Sequence, residues 1–468
     1  MRYQDVTRSP RERAEDLLPR LTLREKVGQV NQRLYGFSAY TRSGEKIQLS
    51  SDFTEEVEKY GGLGVLYGLY RADPWSRRDY ANGLYGPFMK RAYNMVQKYV
   101  VNNSRFGIPV LMSTECPHGH QALGGYLLPV NLGVGAAWNP DLAQAAYQVC
   151  GEQMKDLGVH YALISMLDML RDPRWGRSEE CFGEDPYLSA QMARRVVRGC
   201  RKQGVPVVAK HFCAQGETTG GVNASAARIG PRELREIHLP VMKACCNEGV
   251  EGVMAAYNEI DGMYCHGNHF LLQDILRGEL GFTGAVMADG GAIDRLDNLT
   301  GSSVASGAMA LRAGVDIGLW DKAFSHLEEA VEQGLVTEAE LDRSVLRVLE
   351  LKFRLGLFEH PYLEETPPKI FMVEAYPQSL ELARQGAVLL KNDGVLPIAA
   401  KGKRIAVIGP NADNLYNQLG DYTPAMRKGF GVTLLAGLRE FLGKDAVSYA
   451  EGVRFAAMTR RVFRRQCA

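Results

Sequence analysis

Several segments of the 468-residue sequence place a polar side chain directly after an apolar run. In GAVMADGG (284–291) the small and apolar residues stop at Asp289, and two glycines follow. A lone carboxylate in that setting serves as a nucleophile or base, or it pairs with a cation to hold a loop. Gly290 and Gly291 favour the first reading, because they remove side-chain bulk where a ligand would approach. IPVLMSTE (108–115) ends in Glu115, YALISMLDM (161–169) carries Asp168, and EGVMAAYN (251–258) ends in Tyr257 and Asn258. VPVVAKHF (205–212) brings Lys210 and His211. Neighbours on a strand point to opposite faces, so both reach one pocket only if the strand ends between them.

The segment MLRDPRWGRSEECFGEDPYL (169–188) holds three arginines and five acids and is too polar for a core. Most of these charges should pair with each other in a rigid loop, leaving one arginine to face a ligand. An arginine fork, a lysine, a histidine and several carboxylates around an apolar pocket suit a neutral polyhydroxyl compound. Each hydroxyl of such a ligand both donates and accepts. No metal-ligand spacing stands out, and neither a metal nor a cofactor is expected.

Groups of this kind need strands whose ends line up. From about residue 60 to 320 the chain repeats one grammar, an apolar run followed by helix-like sequence. GLGVLYG (62–68) and AGVDIGLW (313–320) complete the set of runs begun above. The runs are continuous rather than alternating, as in parallel strands covered on both faces. Between them lie helices such as PRELREIHLPVMKACCNEG, which opens with Pro231 and stops at Gly249. EKVGQVNQ (25–32) is the candidate for an eighth strand. This spacing predicts a (β/α)8 barrel over residues 1–358, with a doubly wound open sheet as the alternative. In a barrel, functional groups gather where strands end and βα loops begin, which is where Glu115, Asp168, Lys210, His211, Tyr257 and Asp289 fall.

The closing helix of that unit is marked by the capping box Thr337-x-x-Glu340 and an apolar stripe of Val345, Leu346, Leu349 and Phe353. Residues 359–378, rich in proline and acid, read as a linker. Residues 379–455 read as a partial α/β sandwich, short for a layer domain with both faces covered. The atypical basic tail, 456–468, carries four arginines and no acid. It is expected to be a truncated or frame-shifted end rather than a binding segment. IAVIGPNAD has neither G-x-G-x-x-G nor a P-loop lysine, so no nucleotide site is expected there.

Composition excludes other classes. Hydrophobic content of 46% and charged content of 23% are those of a soluble globular protein. A net charge of +1 gives no bias toward nucleic acid or anionic membrane. No apolar run is long enough for a membrane span, and the charged start MRYQDVTRSPRERAEDLL lacks a signal-peptide core. Nine cysteines, odd in number and without C-x-x-C pairs, point to reduced thiols and a cytoplasmic setting. Adjacent Cys245 and Cys246 read as small packing residues. The oligomeric state is left open.

Taken together, TECPHGH, RDPRWGRSEECFGEDPYL, KHFCAQGETTGG, RELREIHLP, MAAYNEIDG, LRGELGFTGAVMADGGAIDRL and LLKNDGVLPI resemble glycoside hydrolase family 3. Order and spacing match from about residue 10 to 455. The resemblance implies a barrel followed by an α/β sandwich, with exo-acting, retaining β-glycosidase activity on a small glycoside or oligosaccharide. β-Glucosidase is the first expectation; β-xylosidase or α-arabinosidase is the second. Asp289 falls at the family's nucleophile. Glu115, Arg177, Lys210, His211 and Tyr257 match positions that hold the terminal sugar or orient the nucleophile.

Departures from the family pattern matter. Glu115 stands where many β-glucosidases have Asp, a longer arm that would reshape the pocket. Gly290 replaces a common Trp and removes a stacking platform. KHFCAQGE lacks the K-H-F-P-G-H-G form of the β-N-acetylglucosaminidase branch. The family's acid/base Glu comes from the second domain, and counting from Asp289 puts it beyond Ala468. The acid/base is therefore unassigned, and a catalytically incomplete fragment stands as a further alternative.

Overall fold

A computed structural model describes residues 1–372, 374–398, 404–427 and 429–453. The basic tail anticipated at 456–468 lies outside the described residues. Six parallel strands form one sheet in chain order: β1 (Val65–Tyr67), β2 (Leu111–Glu115), β3 (Tyr161–Ser165), β4 (Val207–Phe212), β5 (Gly252–Ala255) and β6 (Ala285–Met287). Every residue in them is buried, as their continuous apolar runs require.

Two irregular staves join the outer strands into a ring. Ile317 donates to Val286 O at 3.0 Å, and Ala288 donates back to Ile317 O at 2.7 Å. Gly318 donates to Val30 O at 2.9 Å, Trp320 donates to Gln32 O at 3.0 Å, and Tyr35 bridges Tyr67 of β1. AGVDIGLW thus takes the place of a strand with a single bridge, Met287 to Ile317.

EKVGQVNQ departs from expectation. Residues Leu23–Val30 are an α-helix, because Thr22 and Glu25 form a capping box that satisfies the first-turn amides. The stave comes from the residues just after it, Asn31 to Tyr35.

The helix that opens at Pro231 widens into a π turn at Leu234–His238 before resuming at Leu239–Asn247. Pro240 has no N–H to donate back to Glu236, so the regular ladder cannot run through this point. Cys245 is buried and Cys246 half-buried on its last turn, as packing residues. Helix Glu338–Arg354 carries the anticipated capping box and buries Leu341, Val345, Val348, Leu349 and Phe353 against the ring.

The described residues between His360 and Pro377 form no helix or strand, and a helix begins at Gln378. Beyond it, β7 (Ile405–Ile408) pairs in parallel with β8 (Val447–Ala450), and helix Leu434–Leu442 packs on them. Their core is small: Val407, Ala412, Leu435 and Val447. No helix among the described residues is long and apolar enough to cross a membrane.

Candidate active site

Parallel strands put all their C-terminal ends at one mouth. Glu115, the last residue of β2, accepts from Tyr67 Oη at 3.0 Å and from Lys210 Nζ at 2.6 Å. Both partners of this ion pair are buried. Such a pair survives out of water only when its other lone pairs and protons are also satisfied, and the Tyr67 hydroxyl supplies one of those contacts.

Lys210 and His211 reach the mouth together for a reason other than a strand end between them. β4 continues through Phe212, and its register with β5 shifts: Ala209 faces Val253 and Phe212 faces Ala255. Two residues, Lys210 and His211, therefore stand opposite Met254 alone, the arrangement of a bulge that re-aims side chains.

Of the three arginines in the loop, Arg171 pairs with Glu217 and Glu233, and exposed Arg174 pairs with Asp172. Arg177 turns inward. It grips Glu180 with both Nε and Nη2, and Nη2 also reaches His211 Nε2 at 3.0 Å and Tyr422 Oη at 3.3 Å. Burial pushes the Glu180 carboxyl up, but the charge and hydrogen bonds of Arg177, with help from the charge of Lys210, hold it down at about 2. An arginine is only a donor, so His211 Nε2 accepts from it. Its proton then sits on Nδ1, which donates to Asp168 Oδ2 at 2.7 Å. His211 is thereby set as a neutral ring between a carboxylate and a guanidinium.

Asp289 follows β6. Its backbone N–H donates to His266 Nε2 at 3.1 Å, and its Oδ1 accepts from the Gly290 N–H at 2.8 Å. Burial lowers the His266 ring to about 4, so at neutral pH the ring is uncharged and able to accept. Asp289 Oδ2 is buried, has no hydrogen-bond partner among the described residues, and lies 3.6 Å from His211 Nε2. Tyr257 is raised by burial and then by the charge of Asp289, so its phenol stays protonated.

Three contributors were not singled out from the sequence. His266 follows a short hairpin and carries no distinguishing spacing. Glu180 was one acid among five in its loop. Tyr422 comes from the second region and has φ of +54°, a backbone state costly for a residue with a Cβ. Its buried hydroxyl meets Arg177 and, at 3.4 Å, Lys210 Nζ, which also lies 4.6 Å from the centre of its ring. The preceding residue fastens this loop to the barrel: Asp421 N donates to Glu179 Oε1 at 2.8 Å, and its carbonyl meets His118 Nε2. Among the described residues no cluster of His, Cys, Asp and Glu has the geometry of a metal site.

Fold and mouth together define a βα-barrel protein with a carboxylate, two cations and a neutral histidine at the strand ends. The chain belongs to glycosyl hydrolase family 3: the model of that family's N-terminal domain matches residues 22–351, and that of its C-terminal domain matches 387–461. It is 33% identical over 425 residues to a putative beta-xylosidase of Formosa agariphila, covering 87% of this chain and 54% of that protein. It is 31% identical to a periplasmic beta-glucosidase of Salmonella typhimurium, covering 93% of this chain and 55% of that one. A beta-glucosidase structure from Erythrobacter marinus superposes with a TM-score of 0.85 at 31% identity, over 97% of this chain and 60% of its own. The chain thus spans little more than half the length of these relatives.

Proposed function

We propose that this chain binds a terminal, non-reducing β-D-glucosyl residue and uses Asp289 as the nucleophile of a retaining glycosidase reaction. The observation that carries this reading is the asymmetry of the Asp289 carboxylate. Oδ1 is held by the Gly290 N–H, while Oδ2 is buried and, among the described residues, has no hydrogen-bond partner, with His211 Nε2 3.6 Å away. A desolvated oxygen with no hydrogen bond to give up is well prepared to attack. Lys210, Arg177 and Glu115 offer donors and an acceptor for sugar hydroxyls, and the Tyr422 hydroxyl already makes contacts of that kind with the two cations. Tyr257 and His211 flank Asp289 and orient it. In the reaction Oδ2 bonds to the anomeric carbon, the bond to the leaving oxygen breaks, and water later cleaves the ester with overall retention.

Departure of an alkoxide needs a proton. The neighbouring carboxyl groups are committed as acceptors: Glu115 to Lys210 and Tyr67, Glu180 to Arg177 and Ser165, and Asp168 to His211. None of the three is arranged to donate. General acid catalysis contributes typically ~10²–10⁴-fold, so this chain by itself should handle activated leaving groups far better than natural ones.

The test is incubation with 2,4-dinitrophenyl 2-deoxy-2-fluoro-β-glucoside followed by peptide mass mapping. The fluorosugar should be esterified to Asp289 and absent from Asp289→Asn. A label on another residue would contradict the nucleophile assignment. Brisk cellobiose hydrolysis by the same chain would mean that an acid lies within it.

A second reading, β-xylosidase, is favoured by Glu115, which stands where many β-glucosidases have the shorter Asp and reaches Lys210 Nζ at 2.6 Å. Faster release from an aryl xyloside than from the matching glucoside would select it.

A further inference from the structure

The end of the ring opposite the mouth holds a cavity of about 300 Å³. It lies where strands begin: Tyr161 opens β3, Glu251 precedes β5, and Gly284 and Ala285 lead into β6. Four arginines line it from three helices. Arg11 comes from helix Pro10–Leu17, Arg201 from the last turn of helix Pro186–Lys202, and Arg347 and Arg354 from helix Glu338–Arg354. The last two are about two turns apart, which places them on one face of that helix.

Two carboxylates, Glu251 and Glu350, line the same space. Arg201 donates from Nε to Glu251 Oε1 at 2.9 Å and reaches the Glu248 carbonyl. Arg11 is divided between Glu15 at 2.6 Å and Glu350 at 3.3 Å. Arg347 donates to Asp316 at 2.7 Å, but Asp316 also answers Arg277 at 2.8 Å. With these neighbours included, five guanidiniums still meet only four carboxylates. Arg354 makes no hydrogen bond or ion pair among the described residues, although its charge acts on Glu251 and Tyr161. Glu251 Oε2 is buried and has no hydrogen-bond partner among those residues either. Burial pushes this carboxyl up, so beside an anion it takes a proton more readily and Oε2 becomes a donor.

We propose that this cavity is an anion site, separate from the sugar pocket, and that it takes a phosphate group, either free or on a small phosphorylated compound. Guanidinium forks match phosphate oxygens two at a time. The arginines arrive from three helices, and a tetrahedral dianion presents oxygens in that many directions. A planar carboxylate presents two oxygens in one plane and cannot serve them all. Surplus positive charge in a cleft with low-dielectric walls also concentrates anions there. At about 300 Å³ the cavity reaches the range of small-molecule sites, ~300–1,000 Å³, so it has room for an ester beyond the phosphate. The parallel strands run from this cavity to the mouth that holds Asp289. The inference therefore stands whether or not the sugar-site reading holds.

Isothermal titration of the 468-residue chain at constant ionic strength tests this, with inorganic phosphate, glycerol 3-phosphate and chloride as titrants. Both phosphates should saturate a site, and chloride should give no saturable heat. Tighter binding of the ester assigns the site to phosphorylated compounds, and tighter binding of the ion assigns it to free phosphate. Arg354→Ala removes a guanidinium that holds no other group in place and should weaken either phosphate about tenfold. Arg11→Ala, on an outer helix, should act in the same direction and serves if Arg354→Ala does not fold. Arg232→Ala removes an exposed arginine outside the cavity and should change affinity by no more than about twofold. No saturable phosphate binding up to about 10 mM would overturn the inference. So would unaltered affinity in both cavity variants, or an equal loss in Arg232→Ala.

Discussion

Replacing Glu180 by glutamine removes the charge around which Arg177 is arranged, and the effect should depend on pH in a calculable way. The Glu180 carboxyl is buried, yet it is held at about 2, against 4.5 for an unperturbed glutamate. A carboxyl depressed in the folded state adds stability above the unfolded value and loses it as pH falls through the folded one. The window is therefore pH 4.5 down to about 2. At ~1.36 kcal/mol for each pH unit of that window, the pairing contributes about 3 kcal/mol. At neutral pH the variant also leaves Arg177 buried without a counter-charge, and breaking a buried pair from one side costs ~3–5 kcal/mol. Urea unfolding followed by far-UV circular dichroism at pH 7, 5, 3.5 and 2.5 gives the stability gap between wild type and Glu180→Gln. The gap should be widest at pH 7 and close by about 3 kcal/mol toward pH 2.5, because only the wild type titrates this group. A gap that stays constant across the series would refute the reasoning, since it would mean that Arg177 does not hold the Glu180 charge.

Other expectations concern packing, capping and a second titration. Burial lowers the His160 ring to about 3, and its Nδ1 accepts from the Met112 N–H at 2.9 Å. The unfolded chain takes up this proton near pH 6.5, so stability should fall by about 2 kcal/mol between pH 7.5 and pH 5 on this account. His160→Gln should lose correspondingly less over the same range, and identical slopes in urea unfolding would count against the assignment. Gly290→Ala drives a Cβ into the Trp320 ring and should destabilise by ~1–3 kcal/mol; an unchanged melting temperature would show that the ring is not there. Thr337→Ala removes one half of a capping box on the long closing helix and should cost about 1 kcal/mol, read as a lower urea midpoint with an unchanged slope.

What could be read from the sequence was what local chemistry controls. Continuous apolar runs announced buried parallel strands, because a strand covered on both faces has no polar side to show. The Thr337 and Glu340 pair announced a helix start, because those two side chains answer amides only three residues away. The same local rule overrode the strand reading of EKVGQVNQ. Thr22 and Glu25 cap that segment as a helix, and apolar residues alone could not distinguish the two. The family motifs nominated Asp289, Glu115, Arg177, Lys210, His211 and Tyr257, and the folded chain brings them to one mouth.

Tertiary structure alone decided how these groups face one another. A register shift after Ala209 turns both Lys210 and His211 to the mouth, although their adjacency argued against it. Arg177, rather than Arg171 or Arg174, turns inward because Glu180, His211 and Tyr422 meet it there. Tyr422 lies far from Lys210 in sequence, and Trp320 closes on Gly290 from another stave. Contacts of that kind leave no spacing to read. They depend on which strand ends become neighbours when the ring forms, and a one-residue change in register would redirect every one of them.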